Sequence, residues 1–392
     1  MSRKVVAAAL MSALFLAGCE TQESLTKKRI KKVEKGLLRA VTIKGQNPEK
    51  LALSARIPFY KVPGVSLAVM DRHEIEWAKA YGVRDAQTLE PATTETLFQA
   101  GALGQPLVSV ATLVLAAQGR PGLPEGKAPD AALLAELVLG PVGMTRSTFR
   151  DASSEGPPAS AASGHGRDGR PVRIGTPGDP AAAAAEFWTN PSELLAFMAD
   201  LMSSAMDKGG RVLDPERARS MLMPQAGVRS DGFAVEGSGQ DVRFHGRGRA
   251  QGFACALDIY PYRGQGAIIL TNSDNGFLLA DEILRALSEV YEWPDFKPVE
   301  KTLYRLDPSI YPGYVGRYEV TPEYALDVSH EDYYLVIRPT GQAPTRFFVE
   351  SQTFFFSVDP YIRIQFHTDE KGDVTGLTLW QQDFKQEARK VG

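Results

Sequence analysis

The stretch 301–392 places the tightest constraint on the fold of this 392-residue chain. It holds the runs YLVIRP, RFFVE, TFFFSVD, YIRIQFH and GLTLWQQ, dense in aromatic and β-branched residues and broken by turns such as DEKGD. Short runs of this kind suit pleated, half-buried surfaces, and their spacing is that of a meander. They read as a separate antiparallel β-domain, sandwich or barrel. Upstream the period changes to helical. In TNPSELLAFMADLMSSAMDKGG, Asn190 is placed to cap a helix, Pro191 suits its first position, Glu193 sits where a capping-box acid would, and Gly209 is a stop.

The remaining segments alternate strand and helix signals. VPGVSLAVMDRHEIEWAKAYGVRD reads as a hairpin with a polar turn, and residues 107–118 as a helix ending near Gly119. Arg120 to Asp130 is rich in Pro and Gly and reads as a loop. AALLAELVLGPVGM reads as a helix stopped by Gly140-Pro141, and 151–185 as a long surface excursion. PERARSMLMP and FLLADEILRALSEVY are further helices, and 231–272 holds several strand-like runs. The expected fold class is α+β: an antiparallel sheet flanked by helices, then an all-β domain. The expected divisions are 1–18 leader, 19–44 tether and N-terminal helix, 45–291 first domain, 292–300 linker and 301–392 β-domain.

The first residues, MSRKVVAAALMSALFLAGC, place Arg3 and Lys4 before an apolar run too short to span a bilayer stably. That layout is a secretory leader, and Leu16-Ala17-Gly18-Cys19 resembles the bacterial lipobox, which implies lipidation of Cys19. The expectation is a cell-envelope lipoprotein held on a membrane and facing the periplasm, with Glu20 leaning towards the outer membrane. Of the two cysteines the second, Cys255, lies in the apolar run GFACALDIY and reads as a buried thiol. The five histidines and two cysteines show no metal-site spacing, so no metal and no cofactor is expected. A net charge of −3 argues against nucleic acid as a partner.

A strand-like TLFQAG runs into the helical QPLVSVATLVLAAQGR, the kind of junction that presents nucleophiles in hydrolases. Together with VPGVSLAVMDRHEIEWAKAYGVRD, LGPVGMTRSTF, EFWTNPSELLAFM and AIILTNSDNG, it resembles the serine β-lactamase and penicillin-binding-protein superfamily, in its class C-like branch. The C-terminal runs resemble the lipocalin-like module that often follows such domains. The resemblance covers roughly 45–392 and implies acyl transfer through a serine activated by a lysine one helical turn on. Here the pattern stands as FQAGALGQP: Ala102 occupies the serine position and Gln105 the lysine position. A methyl cannot attack a carbonyl, and a neutral amide is no base at ordinary pH. No tyrosine lies between Tyr81 and Tyr260, so the family's Tyr-x-Asn is absent too, and against the resemblance the helical half is shortened in sequence.

The third family element is ambiguous. FHGRGRAQGF carries His245, Arg247 and Arg249, with Gly248 one place late for a His-x-Gly motif. It reads either as a glycine-rich strand edge with solvated arginines or as an anion-facing patch. The candidate groove is therefore Ala102, Gln105, Trp188, His245, Arg247 and Arg249. Ser24 and Lys27 form a literal Ser-x-x-Lys by chance of composition in the tether. Ser163 and His165 are neighbours in a loop that suggests no positioned acid. His73 is read as solvated in a turn; His330 and His367 belong to the β-domain. Three functions follow as expectations. The first is a non-catalytic envelope protein binding a peptide, a peptidoglycan fragment or another envelope protein. The second is a residual hydrolase, esterase or peptidase with an unfamiliar nucleophile such as Ser163, and the third an interaction protein working through its β-domain.

Overall fold

The computed structural model describes residues 21–120, 130–150, 156–173, 186–222, 233–381 and 384–391. The leader, Cys19, the loop beyond Arg120 and most of the 151–185 excursion lie outside them. The chain forms two units: the described residues up to Gly36 with Ala52–Ala280, and Leu37–Leu51 with the residues from Asp281 on.

Helix α1 (Gln22–Glu34) opens the first unit, with Thr21 Oγ1 accepting from Ser24 N–H at 3.3 Å. Lys31 and Lys32 in its last turn complement the helix dipole. Strand β1 (Val41–Ile43) belongs to the other unit; α2 (Leu53–Phe59) leads back into the first. The expected hairpin is present as β2 (Gly64–Asp71) and β3 (Glu74–Gly82), turning through Arg72 and His73 at positive φ. His73 is half-buried rather than solvated: its Nε2 lies 3.0 Å from Pro261 O, and its ring fills the space beside Gly264.

Strand β4 (Phe98–Gln99) then meets a 3-10 turn (Gly101–Gly104) that runs into α3 (Gln105–Ala117). The next helix does not stop at Gly140-Pro141. It passes from α4 (Ala131–Leu134) through a π turn (Ala135–Leu139) into α5 (Gly140–Val142) and ends at Gly143, φ +87°. Proline lacks the N–H that a regular ladder needs, and widening the preceding turn accommodates it. Strands β5 (Thr148–Phe149) and β6 (Phe187–Thr189) complete a small sheet in the order β4-β6-β5.

Helix α6 (Pro191–Ala205) starts as its sequence predicts, with Asn190 Oδ1 accepting from Glu193 N–H at 3.0 Å. Glu193 itself does not reach back to the cap. Its carboxylate accepts from Arg146 N–H, Ser147 N–H and Ser147 Oγ, pinning the approach to β5. The helix ends at Met206, before Gly209. Its Leu194, Leu195, Phe197, Met198, Leu201 and Met202 are all buried, each contributing about 1.5–3 kcal/mol relative to exposure.

After α7 (Pro215–Leu222) come β7 (Ala234–Glu236), β8 (Arg243–Ala250), β9 (Phe253–Tyr260) and β10 (Gln265–Thr271). With the hairpin they make a six-stranded antiparallel sheet in the order β3-β2-β10-β9-β8-β7. One of its faces packs Phe244, Cys255, Leu257, Ile259, Ile268 and Leu270 against the helices. Helix α8 (Gly276–Tyr291) carries the chain from the first unit into the second.

In the second unit β1 pairs in parallel with β11 (Val299–Lys301). Strands β12 (Gly316–Thr321), β13 (Tyr324–Glu331), β14 (Tyr334–Pro339), β15 (Thr345–Val349), β16 (Phe354–Val358), β17 (Tyr361–Thr368), β18 (Val374–Gln381) and β19 (Phe384–Lys390) close into a barrel. The expectation of a β-domain thus resolves to the barrel. Alternation fills it from within with Leu326, Val328, Leu335, Ile337, Phe347, Phe355, Ile364 and Phe366. The short helix α9 (Tyr311–Tyr314) adds two tyrosines: Tyr314 stands 5.3 Å from Phe355 and 4.8 Å from Phe366, ring centre to ring centre.

Candidate functional site

The turn Gly101–Gly104 is held from three sides. Ala100 N–H donates to Phe187 O, and the Cys255 thiol donates to Gln99 O at 3.4 Å. Strand β8 presses against the turn directly. A Cβ on Gly248 would lie 1.9 Å from Ala100 O, and one on Gly101 (φ +56°) would lie 2.5 Å from Arg249 O. Glycine is therefore required at both positions. Burial pushes the Cys255 thiol up to about 12, so it stays protonated and inert. On this clamped turn Ala102 and Gln105 are exposed, presenting a methyl and a carboxamide to solvent.

Side chains along β8 alternate between faces. Phe244, in the core, shares a face with Gly246 and Gly248, and Gly248 is the residue that abuts the turn. Arg243, His245, Arg247 and Arg249 therefore point to the opposite face. The groove expected from sequence is not assembled: its cations and its two helix-start residues lie on different sides of one strand.

The arginines are engaged where they point. Asp258, fully buried and opposite His245 in the register, accepts from Arg243 Nη1 at 2.9 Å and from Arg247 Nη1 at 2.8 Å. Two guanidiniums on one carboxylate form a charge-assisted cluster that compensates the cost of burial. Glu236 pairs with Arg243, and His245 Nε2 lies 3.4 Å from Glu236 Oε1. Burial, then the neighbouring Arg243, holds the His245 imidazole below its ordinary range. Arg249 lies over the Phe277 ring, 4.7 Å from its centre. Trp188 is fully buried with its ring edge-on to Phe253, so it lines no groove.

The Ser163 loop contains something its sequence does not suggest. Ser163 Oγ donates to Asp85 Oδ2 at 2.5 Å, an acid 78 residues upstream. Asp85 is tied by two more donors, the Gln87 and Thr88 amides, and these bonds, Ser163's foremost, hold its carboxyl below the usual range. His165, fully buried, completes no triad with them. Its Nε2 accepts from Ala86 N–H at 3.2 Å, which fixes Nδ1 as the donor to Asn272 O at 2.9 Å. Both ring nitrogens are committed to backbone, and burial lowers the imidazole's proton affinity.

The family-like block TNSDN is likewise structural. Asn272 accepts from Gly64 N–H and donates to Val83 O and Arg84 O. Ser273 donates to Lys61 O, and Asn275 to Tyr60 O and Arg167 O. Asp274 Oδ1 accepts from Gly252 N–H. In the barrel His367 Nε2 lies 2.7 Å from Thr378 Oγ1, and His330 packs near Tyr311. Among the described residues no group of three or more His, Cys, Asp or Glu is placed to hold a metal.

Residues 52–123, which include the turn and α3, match the Beta-lactamase family model. The larger unit is β-lactamase-like. Residues 303–391 match a second family described as a domain of unknown function, DUF3471. Two solved structures support the fold. "Crystal structure of SurE" is 16% identical with a TM-score of 0.52, covering 86% of this chain and 97% of that one. "Structure of the octameric penicillin-binding protein homologue from Pyrococcus abyssi" is 13% identical, TM-score 0.52, covering 86% and 98%. At these identities the likeness concerns fold alone. No curated protein matches the chain. The strand-and-helix junction that carries Ala102 and Gln105 lies within the matched residues 52–123.

Proposed function

We propose that this protein is a lipid-anchored, periplasm-facing envelope protein whose β-lactamase-like unit binds rather than performs acyl transfer. The observation that carries this reading is the chemistry of the exposed turn. Ala102 offers hydrocarbon, Gln105 a neutral amide, and the neighbouring strand abuts the turn through Gly248. Among the described residues, the two positions that open this helix carry neither a nucleophile nor a base. Loss of the nucleophile alone in a serine hydrolase removes roughly a millionfold of rate. A peptide, a peptidoglycan fragment or an envelope protein is the class of ligand proposed, and Cys19 the anchor.

The test is exposure of the purified protein to a fluorescent penicillin and a chromogenic cephalosporin. No covalent adduct and no burst is expected; a labelled band that survives denaturation overturns the reading. A second reading is favoured by one contact, the Ser163–Asp85 hydrogen bond, which sets an acid beside the serine proposed as nucleophile. Labelling by a fluorophosphonate, abolished by Ser163→Ala, would establish it.

A further inference from the structure

Helix α1 turns different side chains to its own unit and to solvent. One side is docked within its own unit. Thr26 Oγ1 donates to Glu76 at 2.8 Å, and Arg29 donates to Asp71 at 2.9 Å and to Glu76 at 3.1 Å. Val33 is buried, and Glu34 accepts from Lys79 Nζ at 2.6 Å and Tyr81 OH at 2.9 Å. Within the stretch read as tether and N-terminal helix, α1 is fixed to β2 and β3 by five polar contacts. The other side carries Lys27, Lys28, Lys31 and Lys32, all exposed, with Lys35 exposed at the C-cap. At 100° per residue the four helical lysines fall within an arc of about 140°. Lys27 has Glu23 beside it; Glu23 is the only acid on the helix outside its docked side.

We propose that this lysine stripe is an electrostatic seat on an anionic phospholipid surface. The occupant is argued from charge and from chain length. The whole chain carries −3, so general attraction to anions is not expected, and the stripe is a local exception. Gln22 lies three residue steps beyond Cys19, a reach of at most about 10 Å when extended. This step rests on the lipidation of Cys19 in the reading above. Given it, the first turn of α1 is held about one Debye length from the headgroups, and each lysine that the helix lays along that surface strengthens binding several-fold. A single acyl anchor is marginal, and a basic patch is a second signal of the kind that makes anchoring firm. Docking of the opposite side to the sheet then sets which way the β-lactamase-like unit faces.

The test separates stripe from anchor. The intact mass of the full chain recovered from a bacterial membrane reports acylation of Cys19; an unmodified cysteine there removes the anchor reading without touching the stripe. For the stripe, the full chain carrying Cys19→Ala is floated with phosphatidylcholine vesicles and with vesicles containing 30% phosphatidylglycerol. It is compared with the same chain also carrying Lys28→Gln, Lys31→Gln, Lys32→Gln and Lys35→Gln. Roughly tenfold greater flotation on the anionic vesicles is expected, lost in 0.5 M salt and lost in the fourfold variant. Circular dichroism of both chains checks that α1 is retained. Equal flotation on the two vesicle types, or an anionic preference unchanged by the four substitutions, overturns the proposal.

Discussion

Gly248 and Ala100 meet backbone to side, with room for a hydrogen and nothing larger: a Cβ at 248 would stand 1.9 Å from the Ala100 carbonyl oxygen. The first prediction follows from that contact. Gly248→Ala should destabilise the β-lactamase-like unit by about 2–4 kcal/mol, because backbone and not a flexible side chain must give way. Gly119→Ala meets no atom within 4 Å and suffers only from its φ of +66°, so it should cost about 1 kcal/mol. Chemical denaturation of the two variants side by side measures the difference.

Asp258, itself fully buried, balances two arginines. Asp258→Ala should therefore cost about 3–5 kcal/mol, the range for leaving buried charge uncompensated. Arg247→Met, which leaves Arg243 on the carboxylate at 2.9 Å, should cost less. Equal losses in urea melts would mean the cluster is not held by charge balance.

Stability should fall as pH drops from about 6.5 towards 5. His165 and His245 both bind protons less readily folded than unfolded. Below the ordinary histidine range the unfolded chain takes up protons that the folded one resists, and the equilibrium moves to the unfolded side. Carboxylates held low, such as Asp85 and Glu236, add their loss only at more acidic pH. His165→Gln should flatten part of the slope between pH 6.5 and 5 in thermal melts.

Restoring the missing pair should not restore chemistry. Ala102→Ser with Gln105→Lys places a hydroxyl and an amine one turn apart, but Gly246 still offers no cation and Arg247 still faces Asp258. Turnover of a chromogenic cephalosporin by the double variant should match that of the parent; a measurable gain would show that the strand's contribution is dispensable.

In the barrel, Tyr314→Ala removes a ring packed on Phe355 and Phe366 and should cost about 3–5 kcal/mol. Tyr314→Phe loses only the hydroxyl's bond to Gln352 O, at about 1 kcal/mol. Thermal unfolding of the full chain ranks the two.

Much of the fold was legible because local signals and tertiary demands coincide. The hairpin at 64–82, the Asn190 cap and the C-terminal strands each announce themselves within a dozen residues. The site was less legible. Trp188 and His245 have the residue types of a groove, but only packing reveals that one is core and the other faces away from Ala102. The Ser163–Asp85 bond spans 78 residues, and no spacing rule reaches that far. Glu193 has the position of a capping acid, yet two amides before β5 compete for it and win. Barrel closure was also beyond local reading, since Tyr318 meets Lys390 only when the last strand returns to the first.

The tyrosines of α9 have a consequence for what the C-terminal module can carry. The interior of the barrel is occupied in part by its own aromatic rings, Tyr314, Phe355 and Phe366. A guest entering that interior would have to displace these rings, so the module's capacity is set by how far they can yield.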